Sequence, residues 1–247
     1  MKKILLFIIF ILLAGCGRKG ALVPPEALVP APIADLAVSQ RGDNFVVSWS
    51  QPGKEEGGAS LKGLAGFQLF RREVLPPAED CEDCPTAYRL VKSVDLEFPQ
   101  GIARSGGSFT FVDTEITEGT TYQYKVISTK RDGSVSKVSN RVRLKRVRPP
   151  VAPVVKLVFT PYSAELSWEP IKTLPGEEVT GYRVFRRNGG DAPLEPVATL
   201  TGTAYEDNRL EPGKDYGYSV TSMVKVGDQV VESGFSPIAS GRLAPPE

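Results

Sequence analysis

The chain has 247 residues, 41% of them apolar, and a formal net charge of +1 that becomes −1 without Lys2 and Lys3. Such a near-neutral balance excludes a general electrostatic grip on nucleic acid. There is no histidine, which excludes Ser-His-Asp and Cys-His catalysis, the commonest zinc ligand and CxxCH haem attachment. Carboxylate-based catalysis and Ser-Lys pairs survive that count, but without a nucleophile motif or a phosphate loop the chain reads as a non-enzyme with no catalytic residue, no cofactor and no metal.

At the N-terminus, Lys2 and Lys3 precede an unbroken apolar run of 11 residues at 4–14. As a helix this run rises about 16 Å, whereas a membrane span needs roughly 20 residues, so it reads as an export signal. Leu13-Ala14-Gly15-Cys16 resembles the lipobox of bacterial lipoproteins. That resemblance implies a signal peptide at 1–15 and a membrane anchor on Cys16, carrying the more than one acyl chain that stable anchoring requires. Gly17 stands where Asp would be in lipoproteins kept elsewhere. The implied address is the outer membrane, facing the periplasm or the cell surface.

Residues 16–32 follow as a tether in which Pro24, Pro25, Pro30 and Pro32 predict extended polyproline II, about 3 Å per residue. Its start, Cys16-Gly17-Arg18-Lys19-Gly20-Ala21-Leu22, resembles the CGxKGPL opening of the LptM lipoprotein, with Ala21 in place of the Pro. The resemblance implies an accessory of outer-membrane biogenesis, acting at the lipopolysaccharide translocon through the acylated tether. A basic, Pro-rich segment suits any anchored protein as well.

The rest is an internal repeat. FVDTEITEGTTYQYKV at 111–126 and YEDNRLEPGKDYGYSV at 205–220 align without a gap at an offset of 94. Upstream, Phe45, Val47 and Trp49 alternate on one predicted strand, as do Ala164, Leu166 and Trp168. GFQLFRRE at 66–73 and GYRVFRRN at 181–188 form the next strand of each copy, and closing strands are read at 140–145 and 235–243.

Trp on the second strand, an aromatic opening the third, then LxPGxxYxYxV together resemble fibronectin type III. Leu210-Glu211-Pro212-Gly213-Lys214-Asp215-Tyr216 fits that motif completely, and 116–122 fits with Glu118 in the Pro position. The resemblance implies an all-β chain of two tandem seven-stranded fibronectin type III-like (immunoglobulin-like) β-sandwiches at 33–148 and 149–247. Tyr122 and Tyr216 are then tyrosine corners whose hydroxyls bond back to the turn. Tyr122, Tyr124 and Val126 face the core by period-2 alternation, so the aromatic stripe is core rather than a carbohydrate platform.

Function is sought where the copies differ. From third-strand aromatic to corner Tyr, the first copy has 55 residues and the second 34; most of the 21-residue surplus lies in an inserted loop at 74–108. Long loops on rigid scaffolds carry binding, although added length costs little free energy and is also simply tolerated. Within the loop, Cys81 and Cys84 sit among Glu79, Asp80, Glu82 and Asp83. In an oxidising compartment they read as a disulfide staple, since the carboxylates oppose the stabilised thiolate of a redox pair; metal binding stays open. Arg141, Arg143 and Lys145, continued by Arg146 and Arg148, form a basic stripe. It reads as contact with anionic lipid or lipopolysaccharide, or as charge that protects an edge strand. Arg41-Gly42-Asp43 occupies the first turn, where it reads as turn chemistry rather than adhesion.

The expectation is an envelope lipoprotein held by its lipid anchor. It would act as a non-enzymatic binding or scaffold module for a protein or polysaccharide partner, with the translocon accessory as the alternative.

Overall fold

The structure, a computed structural model, describes residues 24–244. The export signal, Cys16 and the LptM-like opening lie outside the described residues.

Two β-sandwiches follow one another. The first contains β1 (Ala37–Arg41), β2 (Asn44–Ser50), β3 (Leu64–Glu73), β4 (Arg89–Asp95), β5 (Ala103–Ser105), β6 (Ser108–Asp113), β7 (Thr121–Lys130) and β8 (Val142–Lys145). One layer runs β4-β3-β7-β8, and the other holds β1, β2, β6 and β5. The second contains β9 (Val155–Phe159), β10 (Ala164–Trp168), β11 (Glu178–Asn188), β12 (Glu195–Leu200), β13 (Ala204–Asp207), β14 (Asp215–Val226), β15 (Gln229–Glu232) and β16 (Ala239–Arg242). Here β13-β10-β9 faces a layer in which β12, β11 and β14 lie side by side and both β15 and β16 pair with β14. The seven-strand plan is present in each, with one addition. The insertion supplies β5 to the first, and the last strand of the second is broken into β15 and β16.

The cores follow from the alternation. In the first, Phe45, Val47 and Trp49 are buried beneath Phe67, Leu69, Phe109, Tyr122, Tyr124 and Val126. Trp49 meets Phe67 edge-on at 5.7 Å and stacks on Phe109 at 6.1 Å. In the second, Leu166 and Trp168 pack with Tyr182, Val184, Tyr216, Tyr218 and Val220. Both corners close as the motif implies. Tyr122 Oη accepts from the Thr117 N–H at 3.0 Å, and Tyr216 Oη accepts from the Glu211 N–H at 2.8 Å.

Beyond each last hairpin the strand leaves the ladder and serines take over. The Ser128 and Val126 N–H groups donate to Ser136 and Ser139 Oγ, at 2.9 and 3.0 Å. Ser222 and Val220 do the same to Ser233 and Ser236, both at 3.0 Å. Buried donors that no strand reaches are thereby satisfied.

The two sandwiches share a sheet. β1 and β15 pair in parallel, Gln40 with Val231 and Arg41 with Glu232, which merges layers of both into nine strands. Arg41 lies over the rings of Phe185 and Phe235, at 5.2 and 5.4 Å, and its Nε is 3.2 Å from Glu232. The linker is pinned on both sides. The Gln40 side-chain amide bonds both the N–H and the carbonyl of Val147, and Ser222 Oγ donates to the Val151 carbonyl at 2.7 Å.

The last nine residues of the expected tether are a strap rather than a free spacer. Residues 24–32 lie along the loop between β2 and β3. The Ala31 N–H donates to Lys54 O (3.0 Å), the Glu56 N–H to Val29 O (2.9 Å) and the Gly57 N–H to Ala27 O (2.8 Å). Proline lacks an N–H but keeps its carbonyl, and the loop supplies two donors and one acceptor to the strap.

Candidate functional site

The two features that depart from the repeat meet each other. Arg71 and Arg72 stand just before the end of β3, and the alternation of the strand sends the pair to opposite faces. Arg71 points inward, where Asp113 Oδ2 accepts from it at 2.5 Å and from Tyr124 Oη at 2.8 Å. Arg186, Asp207 and Tyr218 repeat this triad in the second sandwich, at 2.9 and 3.0 Å. Burial and the adjacent carboxylate push both tyrosine hydroxyls well above their usual range. Asp113 and Asp207 were visible in the repeat. Their arginines were missed, although both copies spell Phe-Arg-Arg.

Arg72 points to the outer face, under the insertion. Its guanidinium bonds both oxygens of Asp80, the Nη2–Oδ2 distance being 3.1 Å, while its Nε donates to Gln123 Oε1 at 2.6 Å. The loop turns back over Pro76, whose carbonyl accepts from the Glu79 and Asp80 N–H groups. Cys81 and Cys84 are bridged, with their Cα atoms 5.4 Å apart. Glu82, between them, accepts from Gln123 Nε2 at 3.1 Å, from Arg143 at 2.5 Å and from Arg141. Asp83 adds a second contact to Arg141 at 3.2 Å. Tyr88 closes the patch with the Lys125 ammonium 3.8 Å from its ring centroid.

The electrostatics favour the docked loop. The hydrogen bond from Arg72 holds the Asp80 carboxyl below the usual carboxylate range. Burial alone would push Glu82 up, but Arg141 and Arg143 bring it down overall.

The expected basic stripe therefore divides. Arg141 and Arg143, about two-fifths exposed and half exposed, are ion-paired with the loop. Lys145 is exposed, and among the described residues it makes no ion pair. Arg146 does not extend the stripe. It is buried against Asp43 and Glu118. The Arg-Gly-Asp tripeptide is likewise consumed: Arg41 and the Gly42 N–H bind Glu232, and Asp43 binds Arg146. Among the described residues no group of three or more His, Cys, Asp or Glu is placed to hold a metal.

The molecule is thus a tandem of fibronectin type III-like β-sandwiches, one of which carries a disulfide-bridged acidic loop on a basic sheet face. The chain is 24% identical over 214 residues to exoglucanase B of Cellulomonas fimi, covering 83% of this chain and 16% of that enzyme. It spans about one-sixth of the length of that protein, so the likeness concerns a part of it. Among solved structures, the FN1–FN3 domains of chicken CNTN1 align with 88% of this chain and 69% of theirs, at 15% identity and a TM-score of 0.37. No family model matches the chain.

Proposed function

We propose that this protein is an envelope lipoprotein, anchored through acylated Cys16 in the outer membrane, that serves as a non-enzymatic scaffold presenting a binding surface to a protein or polysaccharide. The observation that carries the reading is the merger of the two sandwiches. A shared sheet, an arginine lying over two phenylalanine rings and a pinned linker make a stiff element of the kind that holds a site at a fixed place and angle. A chain built only to connect two points has no need of those contacts.

The partner-facing element is the 74–108 insertion of the first sandwich, which the second copy lacks. Its crest, around Cys81–Cys84 and Pro85, stands on the sheet and is held there by Arg72, Arg141 and Arg143. The likeness to a protein named exoglucanase makes polysaccharide a partner class to test beside protein.

Replacing residues 77–87 by a short Gly-Ser bridge in the full-length chain, followed by crosslinking and pull-down from envelope fractions, tests the assignment. Loss of the captured partners is the expected result; an unchanged set of partners excludes the loop.

A further inference from the structure

We infer that the end of the first sandwich from which the N-terminal segment departs is a lipid-facing surface, with Phe98 seated in the headgroup region of the bilayer that holds Cys16. The inference rests on the lipid-anchor reading above, and adds to it an orientation and a contact.

The strap fixes the geometry. Because residues 24–32 are bonded to the loop between β2 and β3, only the eight peptide steps from Cys16 to Pro24 separate the anchor from the folded sandwich. Even fully extended, eight steps reach about 29 Å. The β2–β3 loop, the β7–β8 hairpin and the segment after β4 all lie at this end. Lys130 Nζ bonds the Leu28 carbonyl and Glu55, each at 2.9 Å, and its neighbour Arg131 meets Glu97 at 2.5 Å. The second sandwich hangs from the opposite end, below the β1–β2 turn and the linker.

This end also has the chemistry of an interface. Phe98 is 71% exposed, and Leu28 and Val135 are 44% and 47% exposed. Three ion pairs surround it, Lys130 with Glu55, Lys137 with Glu56 and Arg131 with Glu97, while Lys54 and Lys62 of the β2–β3 loop are exposed and make no ion pair among the described residues. An aromatic ring beside ion pairs and exposed lysines matches the headgroup level, where the bilayer accepts apolar rings beside polar groups and cationic side chains. A large exposed ring on a short leash to a membrane is thereby given a surface to cover it.

Tryptophan at this site reports the contact, because Trp49 and Trp168 are both buried. The full-length lipidated protein carrying Phe98→Trp is reconstituted into phosphatidylethanolamine–phosphatidylglycerol vesicles with and without brominated acyl chains. The comparison is Tyr162→Trp, an 82%-exposed position in the turn between β9 and β10, at the far end of the second sandwich. The expected result is that the protein floats with the vesicles and that the added emission of Phe98→Trp is about halved by bromine, as for a ring at the headgroup–acyl boundary. The added emission of Tyr162→Trp should stay unchanged. Flotation without quenching of Phe98→Trp overturns the contact while the anchor stands. Failure to float overturns the anchor reading and this inference with it. A photo-crosslinking phenylalanine analogue at position 98, captured in cells by a protein instead of lipid, would also overturn it.

Discussion

Arg72 and Gln123 face each other across β3 and β7 and are hydrogen-bonded at 2.6 Å, whereas the matching pair in the second sandwich is Arg187 and Gly217. Gly217 leaves room for Arg187 to lie flat, since a Cβ there would stand 2.7 Å from the Arg187 Nε. Gln123 instead props Arg72 upward toward Asp80 and Glu82. One residue between the two tyrosines, Gln in one copy and Gly in the other, thus separates a loop-binding face from a bare one.

Arg72→Met should undock the insertion. It removes the two-oxygen contact to Asp80 and leaves the buried Gln123 carbonyl without its donor, a loss of about 1–3 kcal/mol. Limited proteolysis should then cut near 77–87, a region expected to be protected in the parent chain. The same change at Arg187 should leave that region's protection as it was.

The docking should also depend on pH. Asp80 and Glu82 have folded-state values below their ordinary ones. Their contribution is therefore present above the unfolded carboxylate range and is lost as pH falls through the depressed values, which places release below about pH 4. The protection of amides at 78–84, measured relative to the intrinsic exchange rate at each pH from 7 to 3, should fall at the acid end. Protection in the buried strand β7 should not follow it at the same pH.

The buried triads give a stability test. Asp113→Ala leaves the Arg71 guanidinium buried without its counter-ion, at a cost of about 3–5 kcal/mol, as for other buried pairs broken on one side. Tyr124→Phe removes one hydrogen bond to a charged acceptor and should cost about 1.5–3 kcal/mol. Chemical denaturation of the two variants should rank them in that order.

How far the sequence foretold these features varies with their periodicity. The cores were legible because Phe45-Val47-Trp49 and Tyr122-Tyr124-Val126 obey period 2, and the corners because LxPGxxY ties a turn to a tyrosine. The serine relay was hidden by a change of spacing: Ser136 and Ser139 match Ser233 and Ser236 at an offset of 97, while the tyrosines match at 94. The longer β14–β15 hairpin accounts for the slip. The pairing of the acidic loop with Arg141 and Arg143 joins residues about 60 apart, and no local pattern encodes it. Each half was visible as an anomaly of charge. The strap escaped because proline-rich sequence signals an extended backbone without saying whether anything donates to its carbonyls.

Trp49→Ala and Trp168→Ala should each destabilise by about 3–5 kcal/mol, as large core truncations do. The two are not equivalent. Trp49 is packed against Phe67 and Phe109, whereas Trp168 meets Tyr182 at 5.4 Å and borders a cleft of about 370 Å³ lined by Val151, Pro153 and Ile171. Trp49→Ala should fall at the upper end of the range and Trp168→Ala at the lower, because a wall already open on one side loses fewer neighbours. Urea melts read by tyrosine fluorescence and by far-ultraviolet circular dichroism should agree for both variants if the shared sheet makes the sandwiches unfold as one unit. Glu232→Ala removes the Arg41 and Arg183 contacts at the junction. Added to Trp168→Ala, it should split the melt into two steps, the second sandwich unfolding first. A single step in that double variant would place the coupling in the β1–β15 pairing and the Gln40 clamp rather than in the ion pairs.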